Sequence, residues 1–509
     1  MRSDSHLLID ERFTSAEQRF DLWRRKAGYV LGPLVFLVIL LAPFPSLTPA
    51  AHRLAAIAAA TAVLWVTESL PLPVTALLGA VSCVILGVAP AGEVFTPFAD
   101  PLIFLFIGSF IIARAIFVHQ LDRRVAAMVL GRRWIAGRPA RVLLAFGGLT
   151  FLLSMWLSNT ATTAMMFPIG LSILARFSSA AGKLAPQDQK YAAALMLITA
   201  YSASVGGIAT PVGTPPNVIA LGYLRELTSY EIAFFDWMMV AVPITGLFFL
   251  IMYVYFARLC RPSVERIPLE VRRSSEKLTR AQRGVIIAFA TTVLLWLLPG
   301  VLSVILGRSH PLSQTLRTVL PESVVAILGA VLLFILPGDR DDSGETRRVL
   351  VWSEATQIDW GTILLFGGGL ALGKLLFRTG LADRIGEAFK SMVGAGFPMG
   401  ASLLMILAAA LVSVLLTELI SNTAATSMLI PIIIATAHSA GIDPLGPTLG
   451  ATFAASMAFV LPVSTPPNAI VYGSGYVPVT RMIRYGLILD AIGILLVTGG
   501  VYALRSLIG

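Results

Sequence analysis

Two polar motifs, each present twice, contain the residues best suited to binding chemistry. Ser-Asn-Thr occurs at 158–160 and again at 421–423, and the eleven-residue stretches that begin there match at seven of eleven positions. Thr-Pro-Pro-Asn occurs at 214–217 and again at 465–468, inside twelve-residue stretches that match at eight of twelve positions. The two copies of the first motif are 263 residues apart and those of the second motif 251, so the two motifs follow each other in the same order in both halves of the chain. The chain is therefore predicted to contain two halves with one structural plan.

The side chains of both motifs offer uncharged oxygen atoms. Hydroxyl, amide and carbonyl oxygens suit a hard cation of low charge such as Na⁺. The prolines remove backbone donors and leave carbonyl groups one turn earlier unpaired, and such carbonyls persist at membrane depth only where they line a cavity or bind a ligand. The amino-terminal ends of broken helices offer amide groups to an anion. Neither motif contains Lys or Arg, so cations and amide dipoles are expected to balance the charge of an anionic substrate.

The composition places these motifs in a membrane protein. Of 509 residues, 56% are hydrophobic and 13% are Asp, Glu, Lys or Arg, whereas about 25% of an ordinary globular chain is charged. The net charge of +10 does not indicate nucleic-acid binding, because the basic residues cluster between apolar segments. Lys and Arg are concentrated in 119–141 and 258–283. Both segments and the amino terminus are therefore expected to be cytoplasmic.

Long apolar runs predict membrane spans, and interrupted apolar runs predict broken helices. The uninterrupted runs are 29–47, 53–69, 73–89, 101–118, 235–257, 284–306, 319–336, 359–377 and 481–507. The interrupted runs are 142–177, 191–224, 398–438 and 446–477. The charge pattern is consistent only if 142–177 enters and leaves on the cytoplasmic side, as a re-entrant hairpin. The hairpin at 398–438 then opens to the outside, so the halves form an inverted repeat, which is typical of secondary transporters.

The doubled Ser-Asn-Thr motif, the Thr-Glu pair at Thr417 and Glu418, and the paired Thr-Pro-Pro-Asn breaks resemble those of the divalent anion/sodium symporter family. The resemblance extends over nearly the whole chain from about Arg24. It implies sodium-coupled symport of a small divalent anion, above all a C4-dicarboxylate such as succinate, malate or fumarate, across a bacterial inner membrane. It also implies a homodimer in the lipid bilayer, with about eleven transmembrane helices and two opposed re-entrant hairpins in each all-α subunit.

The family resemblance further implies an elevator mechanism, in which a transport domain slides against a scaffold domain. The expected order begins with a cytoplasmic amino-terminal segment 1–28, scaffold 29–118, a cytoplasmic interfacial helix 119–141, transport domain 142–257 and a cytoplasmic loop 258–283. It continues with scaffold 284–377, an outer interfacial helix 378–397 and transport domain 398–509. The motivation from the sequence is that both hairpins and both broken helices contain all the expected ligands, whereas the uninterrupted spans contain none.

Residue by residue, the resemblance implies two sodium sites and a substrate site. The first sodium site would consist of Ser154, Ser158, Asn159 and Gly213. The second would consist of Thr417, Ile420, Asn422, Ser464 and Pro466, with backbone carbonyls contributed at Ile420 and Ser464. Substrate carboxylates would contact Asn159, Thr160, Ser421, Asn422 and Thr423, with Thr214 and Thr465 close by. Na⁺ would be the coupling ion.

Other interpretations remain open at this point. Ser, Asn and Thr also hold helices together in bilayers, although the duplication of both motifs disfavours that explanation here. A membrane enzyme with Ser158 or Ser421 as nucleophile needs a base within reach, and all five histidines fall near predicted segment ends. A sodium-independent dicarboxylate exchanger and a sodium-coupled citrate or sulfate symporter are alternatives within the transporter class.

The ionisable residues expected in or beside apolar runs are Glu68, Arg114, Lys374, Glu418 and Asp490, and such residues are functional candidates.

Overall fold

The computed structural model describes residues 15–132, 134–135, 137–175, 185–265, 277–307, 310–340, 344–393 and 400–508. Residues 1–14 of the predicted amino-terminal segment and 266–276 of the predicted cytoplasmic loop lie outside the described residues. The described chain is almost entirely helical, in agreement with the predicted all-α polytopic class.

The α-helices follow one another along the whole described chain. The first twelve are α1 (Ser15–Leu41), α2 (Pro49–Thr67), α3 (Leu72–Ile85), α4 (Ala91–Phe95), α5 (Pro101–Val118), α6 (Leu121–Leu130), α7 (Pro139–Ser154), α8 (Asn159–Ala175), α9 (Pro186–Ile208), α10 (Pro215–Leu227), α11 (Phe234–Leu259) and α12 (Arg280–Leu306). The remaining ones are α13 (Pro311–Val319), α14 (Glu322–Ile335), α15 (Trp352–Ala355), α16 (Trp360–Arg378), α17 (Leu381–Val393), α18 (Ala401–Thr417), α19 (Asn422–Ala440), α20 (Leu445–Ala455), α21 (Pro466–Tyr472) and α22 (Val479–Leu504). Short 3₁₀ helices occupy Thr96–Ala99 and Arg505–Leu507.

Within the described ranges, eight helices are long and apolar enough to cross a membrane, or nine if the bent pair α13 and α14 forms one span. The bend between these two helices is 59°. Three further apolar helices, α3, α7 and α18, are shorter than the roughly 20 residues that a straight crossing requires. The chain is therefore a multi-span helical membrane protein, and the count of about eleven transmembrane helices stays a prediction.

The helices are interrupted where the sequence predicts it. The run 142–177 is the pair α7 and α8, and the run 398–438 is the pair α18 and α19. The run 191–224 is divided into α9 and α10, and the run 446–477 into α20 and α21. Both Thr-Pro-Pro-Asn motifs place two prolines at the start of a helix, at 215–216 and 466–467, where the missing N–H is tolerated.

Helix α1 differs most from its predicted span of 29–47. Its described part extends from Ser15, and the polar residues before Lys26 include strong helix formers such as Ala, Glu, Gln and Arg. It ends at Leu41, since the residue before Pro43 is disfavoured in the helical region. The polar amino-terminal segment is thus a helical extension of the first apolar helix over its described residues.

The chain packs as two compact units. The first unit comprises Met1–Asp100, Ile219–Tyr230 and Gly361–Ala455. Its core includes side chains from α2, α3, α16 and α19, such as Leu54, Cys83, Leu372 and Ala424. Tyr223 on α10 inserts into this unit, and its hydroxyl donates to the Gly369 carbonyl at 2.6 Å and lies 3.1 Å from the Ser427 carbonyl. The second half of the first broken helix is therefore anchored by a buried tyrosine.

The second unit comprises Pro101–Val218, Glu231–Trp360 and Ser456–Gly509. All of the apolar stretch of α9 is buried, whereas only 33% of that of α12 is, so α9 is the central helix of this unit and α12 lies at its surface. The Tyr201 hydroxyl donates to the Phe459 carbonyl at 2.7 Å, and the indole of Trp237 donates to the Ile208 carbonyl at 3.0 Å. Two backbone carbonyls near helix breaks thus accept hydrogen bonds from aromatic side chains.

The structure contains elements that the sequence did not indicate. A two-stranded antiparallel sheet pairs β1 (Pro337–Arg340) with β2 (Thr346–Arg348). The Asp339 carboxylate in β1 accepts from the backbone amides of Arg280 and Ala281 at 2.9 and 3.4 Å, at the start of α12. The predicted interfacial segments 119–141 and 378–397 do contain helices, α6 and α17, and residues 394–397 lie outside the described residues. Both helices bury apolar residues such as Leu121 and Leu381, although α6 also buries Asp122 and exposes Met128.

Candidate functional site

The first Ser-Asn-Thr motif lies at the break between α7 and α8, in the second unit. Ser154, the last residue of α7, is fully buried, and its hydroxyl donates to Oδ1 of Asn159, the first residue of α8, at 2.8 Å. Ser158 and Thr160 are exposed. The Ser158 hydroxyl accepts from the backbone N–H of Ala161 at 3.3 Å and so caps α8. Of the predicted ligands, Ser154 and Asn159 are directly joined.

Two glycines bring the broken helix α9–α10 against this break. A Cβ atom on Gly207 would lie 2.3 Å from Asn159 Oδ1, and one on Gly213 would lie 2.5 Å from the Gly207 carbonyl oxygen. Any side chain at either position would therefore displace the groups around Asn159. Two of the four residues predicted for the first sodium site, Asn159 and Gly213, thus lie against Gly207, which the sequence analysis did not identify, and Ser154 is joined to Asn159.

The second Ser-Asn-Thr motif lies at the break between α18 and α19, in the first unit. Thr417, the last residue of α18, is fully buried. Its hydroxyl lies 2.6 Å from Oδ1 of Asn422, the first residue of α19, and 2.8 Å from the Ala455 carbonyl. The predicted ligand Ile420 is buried, and Ser421, Asn422 and Thr423 are half-buried. Thr417 and Asn422 are the predicted ligands that this unit joins by a hydrogen bond.

The two breaks share one side-chain arrangement. In each, a hydroxyl-bearing residue ends the first helix, and the Asn five positions later begins the second and accepts from that hydroxyl. Oxygen atoms 2.8 and 2.6 Å apart are close enough to be neighbouring ligands of one cation. Both α8 and α19 begin at the Asn, so the positive ends of their dipoles lie at the motif. The arrangement can bind a cation through neutral oxygens and an anion through backbone amides.

The asparagines of the Thr-Pro-Pro-Asn motifs hold the backbone of the broken helices. Asn217 Nδ2 donates to the carbonyls of Gly207 and Thr210, ten and seven residues earlier, at 2.9 and 2.7 Å. Asn468 Nδ2 makes the same pair of bonds, to Ala458 and Leu461 at 2.8 and 3.0 Å. Both side chains are fully buried. The recurrence of Asn in both motifs is the signal that could have identified these positioning residues from the sequence.

The remaining predicted residues lie at the same breaks of the broken helices, in the second unit. Thr214 and Thr465 are buried, and Thr465 Oγ1 accepts from the backbone N–H of Asn468 at 3.3 Å, which caps α21. Ser464 Oγ donates to the Leu461 carbonyl at 3.1 Å, and Pro466 is the first residue of α21. These residues shape the break, and their backbone groups lie outside regular helix.

Several ionisable residues expected near apolar runs are paired rather than free. Glu68 accepts from Arg24 at 3.1 Å, and Lys374 pairs with Glu226 at 2.9 Å, both within the first unit. Arg114 donates to the Gln357 side-chain amide oxygen in the second unit. Glu418, next to Thr417, is buried. These partners give Glu68, Lys374 and Arg114 a structural role. Glu418 remains a functional candidate because it lies beside the second motif.

Comparison with known proteins shows the family to which this chain belongs. The family described as sodium:sulfate symporter transmembrane region matches residues 24–505. The sodium-dependent dicarboxylate transporter SdcS of Staphylococcus saprophyticus is 32% identical over 488 residues, covering 94% of this chain and 91% of that protein. SdcS of Staphylococcus aureus strain USA300 is 32% identical over 498 residues, with coverage of 94% and 91%.

Two solved structures share the fold at low sequence identity. The YdaH transporter of Alcanivorax borkumensis has a TM-score of 0.54 and 13% identity, covering 95% of this chain and 96% of that one. MtrF of Neisseria gonorrhoeae has a TM-score of 0.54 and 14% identity, with coverage of 84% and 85%. At these identities the likeness concerns the fold alone.

The site geometry predicts that substitutions of Asn159 and Asn217, both in the second unit, affect sodium binding and stability differently. Asn159→Ala removes a predicted cation ligand, and we expect sodium affinity to fall about ten- to a hundredfold, since a hydrogen-bonding group on a charge contributes about 1.5–3 kcal/mol. Uptake of labelled succinate by vesicles should be lost. The unfolding temperature should fall less than for Asn217→Ala, because only the Ser154 hydroxyl loses its acceptor and a hydroxyl can rotate toward a carbonyl of its own helix. Asn422→Ala should behave in the same way at the other break.

The matched contrast is Asn217→Ala, which removes the side-chain donor of the Gly207 and Thr210 carbonyls; Thr210 keeps the backbone N–H of Gly213 at 3.3 Å, whereas Gly207 loses its side-chain donor. Each unsatisfied group costs about 1–3 kcal/mol, so the unfolding temperature should fall clearly, and Asn468→Ala should do the same. Uptake and thermal unfolding of all four variants are measured side by side. Wild-type uptake by Asn159→Ala, or destabilisation equal to that of Asn217→Ala, would contradict the assignment of Asn159 as a ligand.

Proposed function

Because this chain belongs to the sodium:sulfate symporter family, we propose that it is a secondary active transporter that moves a C4-dicarboxylate together with sodium ions. Family membership agrees with the resemblance drawn from the paired motifs. Succinate, malate and fumarate are the proposed substrates, because relatives 32% identical over most of the chain are named sodium-dependent dicarboxylate transporters. The observation that carries the proposal is the matching pair of hydrogen bonds, Ser154 to Asn159 and Thr417 to Asn422.

Charge balance explains why sodium and substrate would travel together. The motifs offer hydroxyl, amide and carbonyl groups and contain no Lys or Arg. A dianion moved alone through a medium of low dielectric constant carries a large desolvation cost. Two Na⁺ ions with one dicarboxylate form a neutral set, which removes much of that cost. In this proposal the cations form part of the anion site, so substrate binding requires sodium.

The proposed architecture is an inverted repeat of about eleven transmembrane helices with two opposed re-entrant hairpins, in a homodimer whose amino terminus is cytoplasmic. It is supported by the repeated motifs and by the interruption of α7–α8 and α18–α19 at equivalent places. The sodium ligands would be those implied by the family resemblance: Ser154, Ser158, Asn159 and Gly213 in one site, and Thr417, Ile420, Asn422, Ser464 and Pro466 in the other. Substrate would contact Asn159, Thr160, Ser421, Asn422 and Thr423, beside Thr214 and Thr465.

The proposed mechanism is an elevator, with scaffold segments 29–118 and 284–377 and transport segments 142–257 and 398–509. Within the first unit, Glu226 of a transport segment pairs with Lys374 of a scaffold segment at 2.9 Å, and Arg225 pairs with the buried Asp100. Each compact unit contains segments of both proposed domains. A sliding transport domain must break these noncovalent contacts, so they belong to one end state of the cycle.

The first test of the function is ligand-induced thermal stabilisation of the purified protein. Succinate should raise the unfolding temperature in sodium buffer and not in choline buffer, because the bound cations complete the anion site. A ligand present at about 100 times its dissociation constant stabilises by about 2.7 kcal/mol. Equal stabilisation in both buffers would favour a sodium-independent exchanger. A larger shift with citrate or sulfate than with succinate would reassign the substrate.

The second test concerns the elevator. In a background with Cys83→Ala and Cys260→Ala, the pair Glu226→Cys and Lys374→Cys is joined by a short bifunctional thiol reagent in vesicles. Uptake should stop on cross-linking, because the link ties a transport segment to a scaffold segment, and a cleavable reagent should restore it on reduction.

The control pair is Glu93→Cys with Arg378→Cys, which replaces an ion pair between a scaffold residue and the last residue of the mainly scaffold helix α16, at the first position of the predicted interfacial segment 378–397. Its cross-link should leave uptake intact. Uptake that persists with Glu226 and Lys374 positions fully cross-linked would exclude the sliding motion.

A further inference from the structure

A cavity of about 480 Å³ lies in the second unit, and none of the predicted sodium or substrate ligands lines it. It is formed by the first residues of α7, the start of α9, the last two turns of α11 and residues from the segment 260–265 that follows. A volume of this size is typical of pockets that hold a small organic molecule. The cavity is therefore separate from the sodium and substrate sites proposed at the helix breaks, and its ligand must be inferred from its own lining.

The polar part of the cavity is dominated by positive charge. Arg258 and Arg261 line it, together with a single acid, Glu265. In the described part of the chain, none of these three side chains forms an ion pair. The three charges sum to one positive charge. Guanidinium groups are well suited to phosphate because they donate two parallel hydrogen bonds.

The surroundings of Cys260 agree with a positive environment. Cys260, which follows the span and lines the cavity, has its thiol pKa raised by burial, while Lys190 and Arg481 act in the opposite direction by their charge. Two further cations thus lie close to the cavity wall. An anionic group is the ligand that this collection of charges would accept.

An apolar stripe on α11 leads to the cavity. Leu247, Leu250 and Val254 are 49%, 51% and 40% exposed, and Arg258 follows on the same helix face at the spacing of one turn. Val254 belongs both to this stripe and to the cavity lining. In a candidate membrane span, exposed leucine and valine face lipid acyl chains. The stripe measures about 10 Å from Leu247 to Val254 at about 1.5 Å per residue.

We propose that this cavity binds the phosphate-bearing headgroup of an anionic phospholipid, with an acyl chain lying along the exposed stripe of α11. The phosphodiester contacts Arg258 and Arg261 at the end of the span, where basic residues reach the membrane interface. The net positive charge of the lining matches the single negative charge of a phosphodiester. The stripe continues from the charged cavity and offers an acyl chain a contact surface, which a free phosphate does not require.

The test measures thermal unfolding of the whole protein in neutral detergent with added lipid. Phosphatidylglycerol should raise the unfolding midpoint in a saturable manner, whereas phosphatidylcholine and inorganic phosphate at the same concentration should not. The double variant Arg258→Gln/Arg261→Gln should bind phosphatidylglycerol about thirtyfold more weakly. Native mass spectrometry should show one tightly held lipid per chain lost from the variant.

The matched control is Arg283→Gln, another exposed arginine at the end of a candidate span, which should keep the lipid-dependent shift. Should the double variant not fold, Arg261→Gln alone tests the same site, because Arg261 lies beyond the end of α11. An equal shift with phosphatidylcholine, or a phosphatidylglycerol shift that survives the arginine substitutions, would overturn the proposal. A shift with inorganic phosphate alone would identify the ligand as a free anion and overturn the lipid assignment.

Discussion

A buried peptide group without a hydrogen-bond partner costs about 1–3 kcal/mol, and no water is available in the hydrocarbon core to replace a lost partner. The backbone at the breaks α9–α10 and α20–α21 would incur that cost without side-chain donors. Asn217 and Asn468 meet it in the same way, by donating to carbonyls ten and seven residues earlier. The breaks are therefore stable features of the fold, and the ion chemistry proposed above depends on them.

A stable break exposes groups that a continuous helix would hide. At each Ser-Asn-Thr motif, a hydroxyl from one helix and an amide from the next come together at 2.8 or 2.6 Å. Both groups are neutral, so they can bind Na⁺ without binding it too tightly to release. They cannot neutralise a dicarboxylate on their own. Coupling between sodium and substrate then follows from electrostatics, because the anion lacks a sufficient counter-charge until the cations are bound.

The positions of the helices and of their breaks could be predicted from the sequence, because prolines and polar residues interrupt otherwise apolar runs and do so twice in the same order. The grouping of Ser154 with Asn159 and of Thr417 with Asn422, which the structure joins by hydrogen bonds, could be predicted only through the family resemblance. The contacts of Gly207 and the ion pair between Arg225 and Asp100 join residues far apart in the chain, which no single sequence reveals. The sheet formed by β1 and β2 was missed because its short polar strands have the composition of a loop.

The central claim is that sodium binding at the helix breaks drives dicarboxylate movement, and uptake of labelled succinate into proteoliposomes tests it most directly. An inward sodium gradient should accumulate succinate above equilibrium in vesicles that contain no dicarboxylate, and a sodium ionophore should abolish the accumulation. Uptake that needs no sodium and requires only succinate preloaded inside the vesicles would contradict the account, since it would show exchange without a coupling ion.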